Sequence, residues 1–304
     1  MNGDNGVVGY LATPQPGAVL RGQVRAVYAR SVHVWSGDRC LTLGVAGLPA
    51  HPCSILWAGF PDAWAVGQEI TVTSETVFGP RGRLVALGSL KRLAPRPVCR
   101  AMAASGRIAA ALGSCQALAA AMPTKGGFHE VFLRCLRPAP PSAHDALSGI
   151  FTRQEKRLAL ALARRLRLRN WDGLAGAARA LAGLGIGLTP AGDDFLAGVL
   201  AALRHHGACL PQPLLPQERL SALAGELSAR TTPFSGFLLR CAASGHVAEP
   251  IGDWLDAVHA GDAAAALRSL RQLEGLGHSS GLDAFTGLLL TLQILMGERA
   301  WIEA

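Results

Sequence analysis

A chain of 304 residues, half of them hydrophobic and 16% charged, can hold one large or two modest domains and is too apolar for disorder to dominate. A formal net charge of +8 favours anionic ligands in a general way. The arginines are dispersed, with no basic tail and little aromatic interleaving, which argues against nucleic acid as a partner.

The start, Met1-Asn-Gly-Asp-Asn-Gly, lacks the basic-then-apolar pattern of a signal peptide. Residues 24–34 are valine-rich with a short period, and 40–45, 69–77 and 84–87 are further strand candidates. Ser36-Gly37-Asp38 and Gly79-Pro80-Arg81-Gly82 read as turns. Short strands joined by tight turns predict a small barrel or a curled sheet. Residues 91–100 are basic and restricted by Pro95 and Pro97, so the main boundary falls there. The expected organisation is α+β: a strand-rich N-terminal domain, 1–97, and a larger, mainly helical domain, 98–304.

Helices are expected at 101–122 and 128–136, followed by a proline-rich loop at 138–142. Thr152 and Glu155 fit a capping box opening a helix over 153–169, with Leu158, Leu162 and Leu166 as its apolar stripe. Arg164 to Arg169 then reads as a solvated face. Further helices are expected at 171–184, 195–205, 218–229, 234–243, 251–259, 263–273 and 284–296, with a loop at 211–216. The apolar stretches at 108–122 and 181–200 do not read as membrane spans; the first is short and the second carries Asp193 and Asp194. His205 and His206, near a helix C-terminus, sit where an imidazolium is favoured. His129-Glu130 lacks the second histidine of a zinc protease pattern. Seven cysteines without a Cys-x-x-Cys pair argue for reduced thiols and a cytoplasmic protein.

The most informative segment runs from Gly183 to Gly198. Gly183, Gly185 and Gly187 permit backbone conformations closed to other residues. Thr189 can cap the next turn, and Pro190 suits a first helical position. Gly192 then lets Asp193 and Asp194 approach closely. Such a turn can present N–H groups to phosphate or carboxylate, while the two carboxylates can hold Mg²⁺, orient an amide or ammonium group, or cap the helix. Neither the Walker ending nor the strand-linked dinucleotide fingerprint is present.

A second loop, Gly275-Leu-Gly-His-Ser-Ser-Gly-Leu-Asp-Ala-Phe-Thr-Gly287, echoes the first, with glycines and an aspartate in register. Internal duplication and convergence both explain so short a match. Gly277, His278, Ser280 and Asp283 are its candidate site residues, and pairing Asp194 with Asp283 across one site suits a cation or a reacting amide. His278 can stabilise negative charge or move a proton. In Arg230-Thr-Thr-Pro-Phe-Ser235 a threonine can cap a helix, and Arg230 can meet a carboxylate or phosphate.

Together, Gly-Leu-Thr-Pro-Ala-Gly-Asp-Asp-Phe-Leu-Ala-Gly, Arg-Thr-Thr-Pro-Phe-Ser and Gly-His-Ser-Ser-Gly-Leu-Asp resemble the DUF2877 family, which includes the AllH-type subunit associated with oxamate carbamoyltransferase in anaerobic allantoin breakdown. The resemblance implies carbamoyl transfer among oxalurate, phosphate, oxamate and carbamoyl phosphate, and partner subunits. The family-like positions here are Gly185, Gly187, Thr189, Gly192, Asp193, Asp194, Arg230, Thr231, Ser235, Gly277, His278, Ser280 and Asp283. The Ser-Thr-Arg-Thr signature of familiar carbamoyltransferases is absent, so any activity needs a differently built site or groups from partners. The expected function is a carbamoyltransferase-like subunit acting on a small carboxylate or ureido compound. The alternatives are a metabolite-binding or regulatory subunit, and an ATP- and Mg²⁺-dependent enzyme.

Overall fold

Alternating burial organises the N-terminal strands. In β2 (Leu20–Val27), Leu20 and Val24 are buried while Arg21, Gln23 and Arg25 face solvent, the period of two that a half-buried strand requires. β1 (Gly6–Val8), β3 (Ser31–Ser36), β4 (Arg39–Val45), β5 (Ser54–Trp57), β6 (Glu69–Val72), β7 (Thr76–Gly79), β8 (Gly82–Ala86) and β9 (Lys91–Arg92) complete one curled nine-stranded sheet, ordered β8-β7-β6-β2-β3-β4-β5-β1-β9. Its pairs are antiparallel except β4 with β5 and β1 with β9. This computed structural model describes residues 6–96, 102–137, 146–210 and 215–303. The chain divides into two compact units, Met1–Arg96 and Pro97–Ala304.

Two expected strands are in fact hairpins. Residues 24–34 turn at Tyr28, whose N–H donates to the Ser31 carbonyl at 2.8 Å. The segment 69–77 turns at Thr73, whose hydroxyl accepts from the N–H of Glu75 at 3.2 Å and of Thr76 at 3.0 Å. That side-chain turn does the work that glycine or proline does elsewhere.

The second unit is helical: α1 (Ser105–Ala121), α2 (Gly127–Leu136), α3 (Ala146–Arg167), α4 (Trp171–Leu181), α5 (Ala191–Ala208), α6 (Gln217–Ser228), α7 (Pro233–Ala243), α8 (Glu249–Ala260), α9 (Ala263–Glu274) and α10 (Ser280–Leu295). α10 is buried from Gly281 to Ile294, and α5 is nearly so. A helix buried all round belongs inside a bundle, and among the described residues these two make the most extensive helix contact. They approach so closely at their crossing that a Cβ on Gly198 would lie 2.0 Å from the Ala284 carbonyl oxygen. Among the described residues, no helix is long and apolar enough to cross a membrane.

Several boundaries move. α3 starts at Ala146, so Thr152 and Glu155 lie buried inside it and form no cap. α5 starts at Ala191, which places both aspartates in its first turn. His206 is buried, and desolvation pushes its pKa down, so a favoured imidazolium does not describe it. The expected loop at 138–142, residues 211–214 of the second loop, 97–100 of the boundary and the first five residues lie outside the described residues.

Candidate functional site

α5 begins without a side-chain cap. Its N-cap is Pro190, whose carbonyl accepts from the N–H of Asp193 at 2.9 Å and of Asp194 at 3.1 Å. The Gly192 N–H donates to the Leu184 carbonyl at 2.8 Å. These three N–H groups are therefore engaged within the turn rather than presented to an anion. Gly192 is needed for packing: a Cβ there would lie 2.2 Å from the Leu181 carbonyl oxygen.

The two adjacent aspartates have different surroundings. Asp193, 1% exposed, accepts the Gly183 N–H at 2.8 Å on Oδ1, and on Oδ2 the Ser235 hydroxyl at 2.8 Å and the Thr231 hydroxyl. It ties the α5 turn to the start of α7, where Thr232 caps the helix by accepting the Ser235 N–H at 3.1 Å and Pro233 occupies the first turn. Its acceptors are in use, which marks it as a structural tie.

Asp194 lies beside the hydroxyls of Thr189 and Ser280, yet its buried Oδ2 has no hydrogen-bond partner. Burial raises its pKa to about 7; the two hydroxyls act against this and the Asp193 charge adds to it. Thr189 does not cap α5. Its hydroxyl meets that of Ser280 at 3.1 Å, joining the two glycine-rich loops directly.

Asp283, in the first turn of α10, is fully buried. Its Oδ1 accepts the backbone N–H groups of Phe128 at 2.7 Å and His129 at 3.3 Å, so it serves the N-terminus of α2. Its Oδ2, like that of Asp194, has no partner. Burial first, and then the Asp194 charge, raise its pKa to about 8, against the pull of Ser279 and the two backbone donors. The approach to α2 depends on Gly127, at φ 58°, where a Cβ would lie 2.5 Å from Asp283 Oδ1. Sequence reasoning missed α2 as part of this site. The Gly126-Gly127 pair ahead of Phe128 was its signal.

The remaining candidates lie further out. Gly185 and Gly187 take φ 117° and 102° in an exposed loop whose tip, Ile186, is 95% exposed. Gly277, at φ 65°, packs 3.1 Å (from the position of a Cβ) against the Ser280 hydroxyl. His278 and Arg230 are exposed, and the Arg230 carbonyl packs over Gly183. Mg²⁺ usually keeps several waters and is held by one or two carboxylates; here one oxygen of Asp283 is committed to backbone donors. Among the described residues no three His, Cys, Asp or Glu side chains converge to hold a metal.

Residues 181–292, which include Asp193, Asp194, Arg230, His278 and Asp283, match the family model described as oxamate carbamoyltransferase subunit AllH. No solved structure matches the chain.

Proposed function

We propose, from the AllH-type assignment supported over residues 181–292, that the chain is a subunit of a carbamoyltransferase-like enzyme acting on a small carboxylate or ureido compound of the oxamate or oxalurate type. The observation that carries this reading is the pair of buried carboxyls, Asp194 and Asp283, each with an unpartnered oxygen. Two buried orphan acceptors are costly to keep and suit a ligand that brings N–H donors.

In the proposed reaction a phosphate oxygen attacks the carbamoyl carbon of oxalurate. The new C–O bond gives carbamoyl phosphate as the C–N bond breaks, and the departing oxamate nitrogen takes up one proton. A carboxyl whose pKa lies near neutrality, as at Asp194 and Asp283, is suited to supply that proton. The exposed Arg230 supplies positive charge for the phosphate or the substrate carboxylate, and the exposed His278 a ring N–H donor. The exposed Gly185-Ile186-Gly187 tip and the surfaces around it are available to partner subunits and to the anion.

The test is carbamoyl phosphate formation from oxalurate and phosphate, with the purified chain alone and with its candidate partner subunits. Turnover in the complete mixture should fall about 100-fold or more in Asp194→Asn, the lower end of what a general acid contributes. No turnover in any mixture, or full turnover in the variant, would contradict the assignment.

A further inference from the structure

Two stretches of the helical unit repeat much of one another's hydrogen bonding. At the α3–α4 connection Arg169 takes φ 51°, alone among the described non-glycine residues at positive φ; at the α8–α9 connection Gly261 takes φ 67°. Arg169 N–H donates to Leu166 O at 3.0 Å and Asn170 N–H to Arg165 O at 2.9 Å. In the second stretch Gly261 N–H donates to Val258 O at 2.9 Å and Asp262 N–H to Ala257 O at 2.9 Å. The Asn170 side chain then caps α4 through Gly173 N–H at 2.9 Å, and the Asp262 side chain caps α9 through Ala265 N–H at 2.9 Å. Leu174, Ala178 and Leu181 are buried along α4 at the positions that Ala266, Leu270 and Leu273 occupy along α9.

The correspondence continues through the loops. Leu184 N–H returns to Leu181 O at 3.1 Å, as Leu276 N–H does to Leu273 O at 2.9 Å. Gly192 N–H closes on Leu184 O at 2.8 Å, as Gly281 N–H does on Leu276 O at 3.0 Å. At the crossing the match becomes reciprocal. A Cβ on Gly198 would strike Ala284 O and approach Leu288 N; a Cβ on Gly287 would strike Phe195 O and approach Val199 N. Reciprocal contacts of this kind define a local twofold axis at the α5–α10 crossing, as in an isologous interface. Asp194 and Asp283 are equivalent positions, each one turn before its crossing glycine.

We propose that Asp194 and Asp283, one from each copy of a duplicated helix–loop–helix unit, together grip a single uncharged –NH₂ group of an amide or ureido ligand through their unpartnered oxygens. This deepens, and rests on, the reading of this pair as the ligand site. An amide –NH₂ carries two N–H donors and no charge, which matches two buried acceptors without placing a cation in the interior. The groups facing the pair are Asp193 on α5 and the hydroxyls of Thr189, Ser279 and Ser280. On α2, His129 turns its ring to the Ala119 carbonyl at 3.1 Å. None of these facing groups is a cation, and burial, with the charge of a neighbouring aspartate in each case, pushes both carboxyls above the ordinary aspartate range.

The experiment is carbon-13 NMR of the full chain labelled at aspartate carboxyls, titrated over pH alone, with oxamate and with Mg²⁺. Asp194→Asn and Asp283→Asn assign the two signals. The expected result is two coupled steps above the ordinary aspartate range, with oxamate perturbing both signals together. Each single variant should weaken oxamate binding about tenfold or more, and the double variant little further, because the two groups act as a unit. Independent titration in the ordinary range, perturbation by Mg²⁺ instead of oxamate, or no response to oxamate each overturns the proposal. The titration of the unsubstituted chain stands even if a variant fails to fold. Coupled titration with oxamate contact but no carbamoyl transfer would remove the proposed reaction and keep the pair; carbamoyl transfer with independent titration would do the reverse.

Discussion

Asp193 and Asp194 are neighbours in sequence and opposites in chemistry. Asp193 accepts from Gly183, Thr231 and Ser235, so its removal strands a backbone N–H and two hydroxyls. Asp193→Ala should cost about 3 kcal/mol or more, at roughly 1 kcal/mol per lost bond with buried donors left behind. Urea unfolding reads this directly, and a change within about 0.5 kcal/mol would contradict the structural role. Asp283 should behave differently. Its folded pKa of about 8 lies above its ordinary 3.8, so folding favours the protonated form. The stabilising contribution is full below about pH 4 and is lost as pH rises through 8. Asp283→Asn keeps an acceptor for Phe128 and His129 and removes the charge. It should therefore raise Tm at pH 9, by roughly 3–8 °C for a gain on the order of 2 kcal/mol, and leave Tm at pH 4 nearly unchanged. A lower Tm at pH 9 would show that the carboxylate is stabilised rather than strained.

At the scale of elements, the α5–α10 crossing makes the sharpest demand. The Cβ of Gly287→Ala would stand 2.1 Å from Phe195 O, a backbone atom that cannot swing aside. The helices must part, at an expected cost of roughly 3 kcal/mol, and carboxyls held by that contact should part with them. A variant with unchanged Tm and unchanged oxamate affinity would show that the crossing is soft. The sequence made some of this legible and hid the rest for local reasons. Ser36-Gly37-Asp38 and Gly79-Pro80-Arg81-Gly82 announce their turns, as does Thr232-Pro233 the start of α7. Tyr28-Ala29-Arg30 carries no turn residue, so β2 and β3 read as one strand, and the wholly buried β5 shows no alternation to detect. Thr152 looks like a cap because Thr-x-x-Glu marks one, yet in α3 both residues are buried and the helix begins earlier. The two loops could be matched by glycine and aspartate spacing. The longer repeat could not, because Arg169 stands where Gly261 does and Leu174 where Ala266 does. Equivalent backbone bonds keep few common side chains, Leu181 with Leu273 and Leu184 with Leu276 among them.

For the whole molecule, burial of titratable groups gives the two units different responses to pH. In the sheet unit His33 is buried and its pKa falls to about 4. A depressed histidine contributes stability that is complete above about 6.5 and lost as pH drops towards 4. In the helical unit His259 falls to about 4 in the same way, lowered by burial first and then by its neighbours His206 and His205. That unit also holds carboxyls with raised pKa values: Glu155 and Asp194 at about 7 and Asp283 at about 8. Their contributions run the other way and are lost as pH rises to 8. The two trends oppose each other between pH 4 and 6.5 in the helical unit, and only the carboxyl trend remains above 6.5. Hydrogen exchange of the full chain, read segment by segment, should show the sheet strands equally protected at pH 6.5 and 8.5 after correction for the intrinsic rate. The same comparison should show α5 and α10 losing protection, by roughly tenfold for each 1.4 kcal/mol of stability lost. In a chain carrying Asp194→Asn and Asp283→Asn most of that loss should vanish, leaving the part due to Glu155. Equal loss in both units, or an undiminished loss in the double variant, would mean that the charge strain does not reside in the carboxyl pair. A loss confined to α5 and α10 would mean that the fold holds the pair in place at a standing cost in stability, which a bound amide would relieve by filling the two vacant acceptors.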